Sequence, residues 1–125
     1  DSGLEVYALG MRPGVYSRRY SETGADHDNN LRLLAAMKDK RDRRARFFCQ
    51  IVYFEPALGY KYYDGVLEGE ILFEPIEGEG FGYDPLFFIP ELGKALSECR
   101  VAEKNLISHR GQALRKLLKD LEQDA

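Results

Sequence analysis

The sequence predicts an α/β fold of the mixed α+β kind, with a largely antiparallel or mixed sheet and flanking helices. Three observations predict it. Residues 45–54 and 67–74 alternate in character with a period of two, the pattern of strands. Residues 31–37 and 113–121 place apolar side chains at helical spacing. Only a short turn around Pro56 and Gly59 separates the middle strands, which is hairpin spacing rather than the long crossover of a parallel pair.

Taken in order, residues 4–9 form a short apolar run suited to a strand end, closed by the turn Met11-Arg12-Pro13-Gly14. Leu31, Leu34, Ala35 and Met37 then predict a helix, with Asp26 or Asp28 as its cap. Ala45, Phe47, Cys49, Ile51 and Tyr53 alternate with Arg46, Phe48, Gln50, Val52 and Phe54. Apolar residues on both faces predict a central strand. After the turn, residues 60–64 lead into Leu67, Ile71 and Phe73, which alternate with Glu68, Glu70 and Glu74 on an acidic outer face. A glycine-rich corner, Gly78 to Gly82, precedes a short strand at 86–89 between Pro85 and Pro90. The chain finishes in a helix with the stripe Ala113, Leu114, Leu117, Leu118 and Leu121, and with Arg115, Lys116, Lys119 and Asp120 outward.

The 125 residues fit one domain or part of a larger one, and 44% hydrophobic with 31% charged residues reads as an ordinary soluble globular protein rather than a disordered chain. A net charge of −3 makes a poor general binder of duplex nucleic acid, whose affinity rests on phosphate neutralisation. A local cation cluster is still able to hold a compact anion such as a triphosphate. Two cysteines are too few for a disulfide framework and favour a reducing, cytoplasmic setting. No apolar run approaches membrane-spanning length, so no membrane partner is expected. The chain opens on Asp1-Ser2-Gly3 without an initiator methionine, the start of a fragment, a processed chain or a trimmed one.

Three segments carry polar groups that folding alone does not demand. Asp1-Ser2-Gly3 by itself reads as a turn or a loose terminus. Gly80-Phe81-Gly82-Tyr83-Asp84-Pro85 lets backbone approach a flat ligand while an aromatic ring stacks on a purine, although six such residues alone also describe a turn with core aromatics. The same segment is similar to the base-stacking strand of RNA-recognition domains. Glu79 stands where that motif wants a cation, however, and Pro85 would interrupt the ladder. In Lys104-Asn105-Leu106-Ile107-Ser108-His109-Arg110-Gly111, Ser108 is placed to cap the last helix, with His109 and Arg110 in its first turn. Cations there oppose the helix dipole. The placement makes sense if an anionic or acceptor-rich ligand meets them, and otherwise describes a solvated basic turn.

In this order, the three segments resemble the inosine triphosphatase family of non-canonical purine nucleoside triphosphate pyrophosphatases. The resemblance runs on through Pro13-Gly14-Val15-Tyr16-Ser17 with Arg19-Tyr20, Asn29-Asn30 ahead of Leu33-Leu34, and Ala45-Arg46-Phe47 with Cys49. It continues at Gly65, Gly69-Glu70-Ile71 and Glu103-Lys104-Asn105, so it covers nearly the whole chain. Ala95 stands where the family commonly has threonine, and Cys99 where an aliphatic residue is usual. The family's N-terminal segment, with its phosphate-binding loop and a metal-binding glutamate, has no counterpart. The resemblance therefore implies that residues 1–125 are the C-terminal portion of a single two-lobed domain, which usually forms homodimers.

It also implies an activity: hydrolysis of ITP, dITP and XTP to the monophosphate and pyrophosphate. Asp1 would be the catalytic residue, binding Mg²⁺ and accepting the proton of the attacking water. Ser2 would contact the substrate. Phe81 and Tyr83 would sandwich or flank the purine, Gly82 and the Asp84 backbone would line its edge, and Lys104, His109 and Arg110 would read the base and its neighbouring groups. The alternative is a catalytically incomplete module that binds purine nucleotides or is completed by a partner chain.

Overall fold

A computed structural model describes residues 2–123. The strands are β1 (Ser2–Val6), β2 (Arg12–Gly14), β3 (Arg44–Glu55), β4 (Gly59–Ile71), β5 (Phe87–Ile89) and β6 (Lys94–Ala95). The helices are α1 (Asp26–Met37), α2 (Val101–Ile107) and α3 (His109–Gln123). The strands form one sheet in the order β2-β1-β3-β4-β5-β6, with every neighbouring pair antiparallel. The mixed α+β expectation holds, and β3 is central as its two apolar faces predict.

The register positions the site. Ser2 lies opposite Cys49, and Cys49 opposite Gly65, so one row crosses three strands. Helix α3 begins directly over that row. A Cβ on Gly65 would run into the His109 carbonyl. Glycine is the residue that lets the start of the helix settle on the sheet.

Several local expectations change. Neither Asp26 nor Asp28 caps α1: the N-cap is Ala25 and makes no side-chain cap bond. Both carboxylates lie inside the first turn, where they still complement the helix dipole. The buried row of α1 is Asn29, Leu33 and Met37, while Leu31 is exposed. Asn29 sets that rotation. Its amide accepts from the Ser21 N–H at 2.7 Å and donates to the Arg18 carbonyl at 3.2 Å, which ties α1 to the preceding loop.

Phe73 falls beyond the end of β4 and is exposed, its ring covered on one side by the Arg43 guanidinium at 3.9 Å. On α3 only Ala113 of the expected stripe is fully buried, with Leu114, Leu118 and Leu121 exposed. Lys116 and Asp120, expected to point outward, face β4 instead. Lys116 donates to the Asp64 carbonyl at 2.6 Å, and Tyr63 donates to the Asp120 carboxylate. The helix thus grips the hairpin partly by polar bonds, which hydrophobic periodicity cannot register. The core lies where β1, β3 and β5 meet α1, around Leu4, Val6, Leu33, Met37, Phe47 and Phe87.

Candidate functional site

Ser108 caps α3 as expected, its hydroxyl accepting from the Gly111 N–H at 3.0 Å. That cap holds His109 and Arg110 in the first turn, facing the sheet row. The His109 ring stacks on Phe47, with centroids 5.1 Å apart and planes 14° from parallel. Arg110 reaches back to β1, donating from Nη2 to the Ser2 hydroxyl at 3.3 Å.

His109 is not a cation at neutral pH. Burial, then the positive charges of Arg110 and Lys104, lower its pKa to about 4. Only Arg110 therefore opposes the dipole of α3. The His109 Nδ1 is buried without a partner. A consequence for stability follows with a definite sign. The unfolded chain takes up a proton on this histidine near pH 6.5, whereas the folded chain resists until about 4. Its contribution to stability is thus complete above pH 6.5 and lost as pH falls through that window. Denaturant titrations from pH 4 to 7 should show a steeper decline for the wild type than for His109→Gln. Parallel curves would exclude the histidine as the titrating group.

The aromatic corner is held from α2, a helix the sequence pattern does not announce. The Lys104 ammonium pairs with the Asp84 carboxylate and lies 4.5 Å from the Phe81 ring centroid. Asp84 also accepts from the Phe81 N–H at 3.2 Å, while the Asp84 N–H donates to the Phe81 carbonyl at 3.2 Å. Phe81 itself stays 62% exposed on this bonded backbone, free to meet a flat ligand.

Tyr83 departs from the expectation that it flanks a purine. Its ring is in the core at 5% exposure, and its hydroxyl donates to the Ser17 carbonyl at 2.5 Å. Burial pushes the phenol's pKa up, so it stays a donor. Asp84 is likewise buried and engaged through its side chain, not only through its backbone.

Sequence reasoning gave no site role to three residues that hold this arrangement. The Ser17 hydroxyl accepts from the Leu4 N–H at 2.8 Å and donates to the Gly14 carbonyl at 2.6 Å, linking the aromatic corner through Tyr83 to β1. Asp26 accepts from the Gly82 N–H at 2.9 Å, and Asn30 donates to the Gly82 carbonyl at 3.0 Å. The only local signal was the pair of polar residues one helical turn apart in α1.

Contacts therefore join Ser2 to Arg110, and Lys104 to Phe81 and Asp84. Both cations act on His109. Asp1 lies outside the described residues. Among the described residues no group of three or more His, Cys, Asp and Glu side chains stands where it could hold a metal. A concavity of about 370 Å³ is lined by Glu5, Arg46, Phe48, Cys49, Gln50, Asp64, Gly65 and Val66, so it touches the Cys49–Gly65 part of the row under α3. There Glu5 and Arg46 neutralise each other at 2.7 Å. Among the described residues no helix is long and apolar enough to cross a membrane.

Comparison with known proteins follows the same lines. A model of the Ham1 family matches residues 1–120. The dITP/XTP pyrophosphatase of Thermus thermophilus is 49% identical over 120 residues, covering 94% of this chain and 58% of that protein. The dITP/XTP pyrophosphatase of Staphylococcus epidermidis is 49% identical over 123 residues, covering 98% of this chain and 63% of that protein. The solved Ham1 protein of Staphylococcus aureus superposes with a TM-score of 0.96 at 40% identity, over 100% of this chain and 66% of that one. A HAM1 protein from Coxiella burnetii gives a TM-score of 0.93 at 41% identity, over 98% of this chain and 65% of that one. The chain spans less than two thirds of the length of these relatives.

Proposed function

Because the chain belongs to the Ham1 family, we propose that it carries the base-reading part of a pyrophosphatase acting on inosine, deoxyinosine and xanthosine triphosphates. The products are the nucleoside monophosphate and pyrophosphate, and the role is removal of these nucleotides from the pool. One pair of observations supports the reading above the others. An exposed aromatic ring lies beside the Lys104 ammonium, and Arg110, next to the neutral His109, reaches the N-terminal strand.

That surface suits a keto-purine nucleotide. Arg110 is only a donor, and the purine N7 with a 6-keto oxygen is an acceptor pair. Adenine carries a 6-amino donor at that edge, so two donors would face each other. An unmade bond of this kind costs about 1–3 kcal/mol, which is roughly tenfold to a few hundredfold in discrimination. Phe81 supplies the stacking face, with the Lys104 charge beside it. Arg110, whose side chain has no carboxylate partner among the described residues, also favours an anionic ligand over a neutral one.

In this proposal Asp1 is the catalytic base and the protein ligand for Mg²⁺, since magnesium takes few protein oxygens and completes its shell with phosphate and water. When bound, the metal supplies charge neutralisation at the phosphoryl oxygens. Ser2 lies beside Asp1 in sequence and within reach of Arg110, which brings the reacting phosphate and the base reader close together. The proposal extends to a homodimer in a cytoplasmic setting, and the free, buried Cys49 and Cys99 support a reducing compartment.

Release of pyrophosphate from ITP, dITP, XTP, ATP and GTP with Mg²⁺ tests the reading, with Asp1→Asn alongside. Turnover of the first three, little of ATP, and its abolition by Asp1→Asn are expected. Equal turnover of ATP and ITP would refute the selectivity argument, and unimpaired Asp1→Asn would remove Asp1 from its role. Tight ITP binding without pyrophosphate release would support a nucleotide-binding module instead.

A further inference from the structure

Resting on the proposed nucleotide site, we infer that Asp26 and Asn30 of α1 are positioning residues that hold Phe81 as a rigid stacking platform. Both act on Gly82, the residue that follows Phe81. The Asp26 carboxylate accepts from the Gly82 N–H at 2.9 Å and the Asn30 amide donates to its carbonyl at 3.0 Å, so one helical turn grips both sides of a single residue. Gly82 has φ of +60°, a left-handed conformation that most side chains avoid, and a loop built on it needs outside bonds to stay in one shape.

With the Asp84 carboxylate accepting from the Phe81 N–H, and the Phe81 carbonyl accepting from the Asp84 N–H, every backbone polar group of residues 81 and 82 is bonded. The ring between these fixed groups is nevertheless 62% exposed. A phenyl left in water on a fully bonded backbone contributes little to the core. What the arrangement does supply is an apolar face whose ordering cost is met before a ligand arrives.

Asn30 carries the second, independent sign. Its side-chain carbonyl is buried and has no partner. A buried acceptor without a donor lowers stability, and an apolar residue of similar volume would avoid that penalty. The chain nonetheless holds an amide there, and the bond that amide makes is to Gly82. An amide kept there with one atom unpaired and the other bonded to the platform serves the shape of the loop.

The chain has no tryptophan, so Phe81→Trp provides one local reporter in a protein otherwise unchanged. Inosine 5′-monophosphate, which has the base and no pyrophosphate, is the probe, read by quenching of the introduced indole and by its anisotropy decay. In this background Asp26→Ala and Asn30→Leu should each weaken the monophosphate about tenfold and add fast motion to the indole. Asn30→Leu removes one unpaired carbonyl but takes the donor from the Gly82 carbonyl, so its Tm should change little. Asp26→Asn keeps an acceptor and should keep both affinity and rigidity.

Unchanged affinity in Asp26→Ala and Asn30→Leu would overturn the inference. So would a loss that follows Tm in every variant, or an Asp26→Asn as impaired as Asp26→Ala. A parent Phe81→Trp protein that ignores the monophosphate would bring down the proposed base site itself, and this inference with it.

Discussion

Arg110→Ala is expected to lower kcat/KM for inosine triphosphate by about tenfold to a few hundredfold while the fold survives. The magnitude follows from one donor lost against a buried acceptor, about 1–3 kcal/mol. Folding should hardly change, because Arg110 is exposed and its side-chain contact in the structure is the Ser2 hydroxyl at 3.3 Å. Under the proposed function the loss should also narrow the gap between ITP and ATP, because Arg110 is there the residue that penalises a 6-amino group. A general weakening of both substrates by the same factor would mean that Arg110 serves the phosphates and not the base. Steady-state kinetics on the two nucleotides, with a thermal melt of each protein, separates these results. Arg110→Lys is the informative partner. It keeps the charge but loses the fork that matches two adjacent acceptors, so it should recover phosphate attraction without recovering discrimination.

Lys104→Met should be the most destabilising single change at the site. Asp84 has only 7% of its side chain exposed and Lys104 20%, so removing the ammonium leaves a carboxylate buried without its counter-charge. Such breaks cost about 3–5 kcal/mol, a large share of the stability of a small domain. The same substitution takes the charge from beside Phe81 and loosens the corner, so base affinity should fall as well. Asp84→Asn in the Lys104→Met background should return much of the stability, because the isolated charge disappears. Base affinity should stay low, because the cation is still missing. Urea unfolding of the four proteins in a double-mutant cycle measures the coupling. A near-zero coupling energy would show that the pair is solvated and contributes little.

Much of the site was legible because its rules are local. Ser108 announces the start of α3 through a cap that depends on the next three residues, and the structure has that bond at 3.0 Å. The β3–β4 hairpin was legible for a similar reason: its alternation and turn lie in one continuous stretch of chain. The row joining Ser2, Cys49 and Gly65 was not legible, because strand register sets it, and register depends on how three separate segments slide against one another. Helix α2 escaped for a different reason. Its seven residues, none fully buried, show no apolar stripe to read.

The order of residues along the chain was enough to establish which groups are present and how each is shaped locally. It specifies an aromatic corner built on glycine, a capped helix that begins with histidine and arginine, and a long hairpin behind them. Which of two aromatics faces outward was settled by packing. Phe81 and Tyr83 are equivalent by pattern, and the choice is made by a carbonyl at Ser17, far away in the chain, that takes the Tyr83 hydroxyl into the core. Packing likewise made His109 neutral, gave Lys104 to Asp84, and placed Gly82 in the grip of α1. One cause underlies all of these. Burial and charge pairing depend on distances through space, and residues remote in sequence set those distances only once the chain has packed.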